Sequence, residues 1–247
     1  MGLSFADELL EEAALTSLSF FVTEDEPLIN VKISRHQEDS NIGVDVKCQG
    51  DTVNVDTDHF RTNIDFSDST AEIIFKHEVN STIMLNAIKN FFVFCVLRMG
   101  GIVLHASAVA RDGQAYVFTG PSGSGKSTVA DNSSDHTVLS EEVVAIVSNS
   151  QQCRVFALPY NGDQRFQNRS KETFPLKAFY TLSHAKINKA VPLSKAEFIA
   201  KAMIVPAGMD ENATIKFLER FCTMFEKIPC YELQFFPSAS LWDVLLR

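Results

Sequence analysis

Three glycines, a lysine and a hydroxyl crowd into "GPSGSGKST", residues 120–128, of a chain with only 11 glycines in 247 residues. A plain turn needs one or two glycines to reach positive φ. Here Gly120, Gly125, Lys126 and Ser127 satisfy the spacing G-x-x-x-x-G-K-[ST]. In that spacing the loop's N–H groups point inward and, with the positive end of the following helix, form a cradle for an anion. Lys126 then reaches the β- and γ-phosphates, and the Ser127 hydroxyl ligates Mg²⁺. Pro121, Ser122, Gly123, Ser124 and Thr128 complete the loop. The chemistry that fits is the binding of ATP, or another nucleoside triphosphate, with Mg²⁺.

A cradle of this kind needs a strand before it and a helix after it. "AYVFT" supplies the strand and "STVAD" a short helix. The strand is the second half of a hairpin in "GIVLHASAVARDGQAYVFTG", which turns at Arg111-Asp112-Gly113. Eleven residues separate Lys126 from Val138, about the minimum for a crossover between parallel strands. That spacing puts Glu141-Glu142, in "HTVLSEEVVAIV", at the end of an adjacent strand beside the phosphates. Later, "LSKAEFIAKAM" opens with the capping-box residues Ser194 and Glu197. "ENATIKFLERFCTMFEK" has helical spacing, "CYELQFF" reads as a strand and "SASLWDVLL" as a closing helix.

Residues 1–80 read differently. "LINVKIS", "GVDVKC", "DTVNVD" and "AEIIFKHEV" alternate polar and apolar residues, which predicts a mainly antiparallel β region. Residues 81–99 then predict a helix capped by Ser81 and stopped by Gly100-Gly101. It is apolar nearly all round from Phe91, which predicts deep burial. Two domains follow: a β-rich region over 1–80 and an α/β domain over 81–247.

Composition excludes several classes. The net charge of −9 and pI of about 5.2 argue against nucleic acid or anionic membrane as partner. Cys48, Cys95, Cys153, Cys222 and Cys230 are scattered and odd in number, so a reduced, cytoplasmic chain with buried thiols is expected. The N-terminus is acidic where a signal peptide is basic. The longest apolar run, Phe91 to Leu97, is too short to span a bilayer. His36, His59, His77, His136 and His184 show no metal-ligand spacing, and His136 is expected on the surface.

"GIVLHASAV", the hairpin, "GPSGSGKST" and "VLSEEVV" together resemble the catalytic domain of HPr kinase/phosphorylase and its shorter serine-kinase-like relatives. The resemblance is firm over residues 100–147 and weaker toward the C-terminus. It implies an α/β fold with a P-loop core of the phosphoenolpyruvate-carboxykinase type and a mixed sheet. It also implies transfer of phosphate from ATP·Mg²⁺ to a serine hydroxyl on a protein or peptide. In that pattern His105 lies near the transferred phosphate, and Glu141 and Glu142 match the acidic pair that serves as base and holds Mg²⁺ with Ser127. The family pair is usually led by Asp, and a Glu is one methylene longer. Arg154, Arg165 and Arg169 are the candidate phosphate contacts. Relatives often assemble, so a homo-oligomer is among the expectations. Two other readings stand beside the kinase: a non-catalytic nucleotide-binding regulatory module, and a small-molecule kinase.

Overall fold

A computed structural model describes residues 1–6, 8–18, 25–37, 43–148, 152–158, 166–201, 215, 218–219, 221–223, 226, 228–238 and 240–245. The fold is mixed α/β and dominated by strands, which form two mixed sheets. The described residues divide into two compact units, one on residues up to 95 and the other on residues from 96.

The first unit carries β1 (Gly2–Phe5), β2 (Asn30–Arg35), β3 (Asp45–Gln49), β4 (Thr52–Asp56), β5 (Phe60–Asp65) and β6 (Thr70–Phe75), in the order β1-β2-β6-β5-β4-β3. The segments from β3 to β6 form the antiparallel meander that their alternation predicts. "LINVKIS" behaves otherwise, because β2 pairs in parallel with both β1 and β6. Alternate residues Val31, Ile33, Val53, Val55, Ile64 and Ile73 are buried. Helix α1 (Glu8–Leu18) buries Leu10, Ala14 and Leu18, one per turn on a single stripe.

Helix α2 (Ser81–Arg98) falls where its apolar run predicts, with two corrections. Its N-cap is Asn80, whose Oδ1 accepts from the Ile83 amide at 2.9 Å, rather than Ser81. Its second half is only partly covered: Phe91, Phe94 and Val96 are buried, whereas Phe92, Val93, Cys95 and Leu97 are half-buried. Gly100, at φ 78°, ends the helix as expected. Taken over all 18 residues, α2 is long and apolar enough to cross a membrane, although Met84, Ala87, Ile88 and Phe91 are fully buried within the protein.

The second unit is built on β7 (Ile102–Arg111), β8 (Gln114–Thr119), β9 (Thr137–Ser140), β10 (Val143–Ser148), β11 (Cys153–Ala157), β12 (Phe174–His184), β13 (Lys189–Pro192) and β14 (Cys230–Phe235). The order is β11-β10-β7-β8-β12-β14-β13, with β9 also on β7. Strands β8, β12 and β14 run parallel, so their C-terminal ends share one edge. The β7–β8 hairpin turns where Asp-Gly predicts, with Asp112 and Gly113 both at positive φ. One face of the sheet packs Phe118, Tyr180, Leu233 and Phe235 against Val129 of α3 (Lys126–Asp131) and Trp242 of α5 (Leu241–Val244). On the other face, Phe179 meets Phe198 of α4 (Lys195–Lys201) at 5.5 Å between ring centroids. The capping box that starts α4 forms as predicted, with Ser194 Oγ donating to Glu197 Oε2 and accepting from the Glu197 amide. Most of "ENATIKFLERFCTMFEK" lies outside the described residues.

The crossover after the glycine loop differs from its sequence reading. β9 does not lie next to β8; both pair antiparallel with β7, one on each side of it. "HTVLSEEVVAIV" is likewise two strands in line along β7, and Glu141-Glu142 is the break between them. Cys48 and Cys222 are exposed rather than buried, and all five thiols are free. Burial pushes the Cys95 and Cys230 thiols up to about 12, so these two behave as inert hydrophobes.

Candidate functional site

The glycine loop follows β8 at the edge where the parallel strands end, the usual position for a ligand in an open α/β sheet. Its three glycines take left-handed φ values of 154°, 78° and 104° at Gly120, Gly123 and Gly125. Side chains would not fit at two of them. A Cβ at Gly120 would lie 2.7 Å from Ser124 Oγ, and one at Gly125 would lie 3.0 Å from the Phe235 ring. The curled backbone opens on a cleft of about 280 Å³. Its described lining is Ser122, Gly123 and residues 125–128 of the loop, with His105, Glu141, Glu142, His184, Phe235 and Pro237.

The charges in the cleft are arranged in a consistent way. Lys126 is buried, and its Nζ donates to the carbonyls of Gly120 at 2.9 Å and Pro121 at 3.1 Å. Burial lowers its pKa, and the negative charge of Glu142 opposes that shift only in part. Glu142 Oε1 lies 3.8 Å from His105 Nδ1, within ion-pair reach when the imidazole is protonated. Both glutamates are partly exposed. The break in the strand is fixed by the backbone: Ser140 Oγ accepts from the amides of Glu142 and Val143, and the Ala106 amide donates to the Glu142 carbonyl. Local hydrogen bonding by a serine is what lets two consecutive acids leave a ladder without a glycine.

The residue set suits a polyphosphate and its cation. Ser124 Oγ is buried with no hydrogen-bond partner among the described residues, a costly arrangement in a loop that meets nothing. Ser127 Oγ with two carboxylates is an all-oxygen set, of the kind that holds Mg²⁺ when phosphate oxygens supply the other positions. No group of three or more His, Cys, Asp or Glu side chains forms a self-sufficient metal site among the described residues.

The sequence-predicted residues divide sharply. His105, Glu141, Glu142 and residues 120–128 come together at one edge. Arg154 and Arg169 do not. Arg154 sits on β11, where its Nε donates to Thr173 Oγ1 at 2.7 Å, tying β11 to the strand that starts at Phe174. Arg169 bridges to Val138 at the start of β9 and lines a larger cavity, about 510 Å³, beside the Arg111–Gly113 turn at the opposite end of the sheet. Arg165 lies outside the described residues. His136, expected on the surface, is half-buried, with its ring 4.3 Å from that of Trp242. Burial lowers its pKa, with Arg111 adding to the effect.

His184, Phe235 and Pro237 are the lining residues that sequence reasoning missed. The available signal was positional: "FYTLSH" and "CYELQFF" are apolar strands whose last residues must share an edge with the glycine loop once the strands run parallel to β8.

A profile described as "SynChlorMet cassette protein ScmC" matches residues 72–246. The chain belongs to this family. The match to the ScmC family begins inside β6 and takes in the whole cleft. No curated protein matches the chain. Among solved structures, the HPr(Ser) kinase/phosphatase from Coxiella burnetii aligns with a TM-score of 0.33 and 11% identity, over 56% of this chain and 82% of that one.

Proposed function

We propose that the chain is a P-loop phosphotransferase that binds a nucleoside triphosphate with Mg²⁺ and transfers its γ-phosphoryl group to a hydroxyl, a serine on a protein or peptide. The observation that carries this reading is the loop itself. The loop turns on three left-handed glycines and buries Ser124 Oγ without a partner among the described residues. Gly123, Gly125 and the buried Lys126, which has no carboxylate within ion-pair reach among the described residues, line one cleft with two acids. Such a combination costs stability and is rational only where an anion repays it.

In this reading the backbone N–H groups of residues 122–128 cradle the phosphates and Lys126 stabilises charge on the transferring group. Ser127 and Glu142 would hold Mg²⁺, since Glu142 is the acid whose charge reaches Lys126. His105, 3.8 Å from Glu142, would steady that carboxylate. Bound there, Mg²⁺ would neutralise charge on the phosphates. Glu141 is then the base: it accepts the proton of the acceptor hydroxyl as that oxygen bonds to phosphorus, and the nucleoside diphosphate leaves.

A regulatory module that binds nucleotide without turnover is the second reading. The six-residue length of α3 and the Glu-for-Asp change in the acidic pair favour it. Nucleotide binding and ATP consumption by the wild type, Glu141→Gln and Glu142→Gln separate the two. A phosphotransferase loses turnover in Glu141→Gln with affinity kept, and loses Mg²⁺-dependent affinity in Glu142→Gln. Binding in all three with no turnover in any selects the module. Absence of binding by the wild type removes both.

A further inference from the structure

His184 ends β12, and its Nε2 lies 2.9 Å from the carbonyl oxygen of Gly123, 61 residues earlier in the chain. A carbonyl only accepts, so Nε2 carries the proton and donates. The neighbouring strand makes a second contact. His184 and Phe235 are register partners on β12 and β14, so their side chains leave the sheet on the same side. Phe235 packs over Gly125, close enough that a Cβ there would lie 3.0 Å from its ring. Two side-by-side residues thus hold the loop at alternate glycines, one by a hydrogen bond and one by packing. Gly123 is at φ 78°, a conformation in which a glycine is otherwise free to swing. With its carbonyl bonded to His184, that peptide is fixed in one orientation.

We propose that His184 is a positioning residue of the glycine loop: its Nε2–H, bonded to the Gly123 carbonyl beside the Phe235 contact at Gly125, sets the loop backbone for polyphosphate. The proposal rests on the nucleotide-binding reading above.

The test uses the full-length protein, with His184→Ala and His184→Gln, because glutamine restores an N–H donor without the imidazole. Two readouts are taken: hydrogen exchange over residues 118–128 without nucleotide, and affinity for ATP·Mg²⁺ by calorimetry. Loss of one hydrogen bond to a loop carbonyl is worth about a five- to tenfold change. His184→Ala is expected to speed exchange across the loop and weaken affinity by that factor, and His184→Gln to recover most of both. Wild-type exchange and affinity in His184→Ala overturn the proposal, as does a glutamine variant as impaired as the alanine one. The exchange readout needs no ligand. A protein that binds no ATP yet shows faster loop exchange in His184→Ala therefore refutes the nucleotide reading and keeps His184 as the loop's anchor.

Discussion

Two lysines are buried among the described residues, one in each unit, and they are treated in opposite ways. Lys76, at the end of the first sheet, is fully buried, and its Nζ meets Asp56 Oδ1 at 2.5 Å and the Thr57 carbonyl at 2.8 Å. Lys126 is 7% exposed, and among the described residues its Nζ bonds the carbonyls of Gly120 and Pro121. The first charge is matched inside the fold. The second is hydrogen-bonded to backbone carbonyls, and burial lowers its pKa, opposed only in part by the charge of Glu142. A matched buried lysine belongs to the architecture; a buried one without an ion pair beside an open cleft is what the proposed nucleotide site requires.

The comparison breaks most visibly on removal of the charges. Lys126→Met is expected to hold or raise the melting temperature of the free protein, since an uncompensated charge leaves the interior. It should also abolish the stabilisation by ATP·Mg²⁺, which for the wild type at a hundred times Kd amounts to about 2.7 kcal/mol. Lys76→Met removes the buried partner of Asp56, leaving Arg61 at 3.2 Å, and should cost roughly 1.5–3 kcal/mol in denaturant unfolding. A Lys76→Met protein as stable as the wild type would dissolve the contrast.

Acid sharpens it next. Burial works against the Asp56 carboxylate, but hydrogen bonds from Lys76 and Arg61 outweigh burial and hold its pKa below the usual value. A depressed carboxylate contributes stability that is present above the unfolded value, about pH 4, and is lost as pH falls through the folded one. Stability of the first unit should therefore decline below about pH 4, and Asp56→Asn should flatten that decline. Lys126 has the opposite sign. With its folded pKa lowered, the free protein gains stability as pH rises from the folded value toward the unfolded one near 10.4. A calorimetric series at alkaline pH should show that gain in the wild type and not in Lys126→Met.

The smallest effect is a neutral control. Ser194→Ala removes the cap of α4 and should cost about 1 kcal/mol, leaving nucleotide affinity unchanged. A change in affinity would mean that the cleft is coupled to general stability rather than to charge.

Local signals carried most of what was legible in the sequence. The glycine loop, the Asp112-Gly113 turn and the Ser194–Glu197 box each follow from a few consecutive residues, and each stands where its pattern places it. The Asn80 cap was misread by one position because Ser81 is also a good capping residue. Strand order was not legible. Whether β9 lies next to β8 or beyond β7 depends on pairings made across the sheet, and the eleven-residue spacing fits either. The same ignorance misplaced Arg154 and Arg169, since a loop's end of the sheet follows from strand direction and not from composition. His184 was passed over for the same reason, since its partner stands 61 residues away.

Titration of the purified protein with ATP by isothermal calorimetry, with and without Mg²⁺, tests the central claim most directly. The account predicts saturable binding below millimolar ATP that is strengthened by Mg²⁺, and loss of about a hundredfold or more in Lys126→Met. Saturation of wild type and Lys126→Met alike, or no heat from the wild type at millimolar ATP with Mg²⁺, would contradict it.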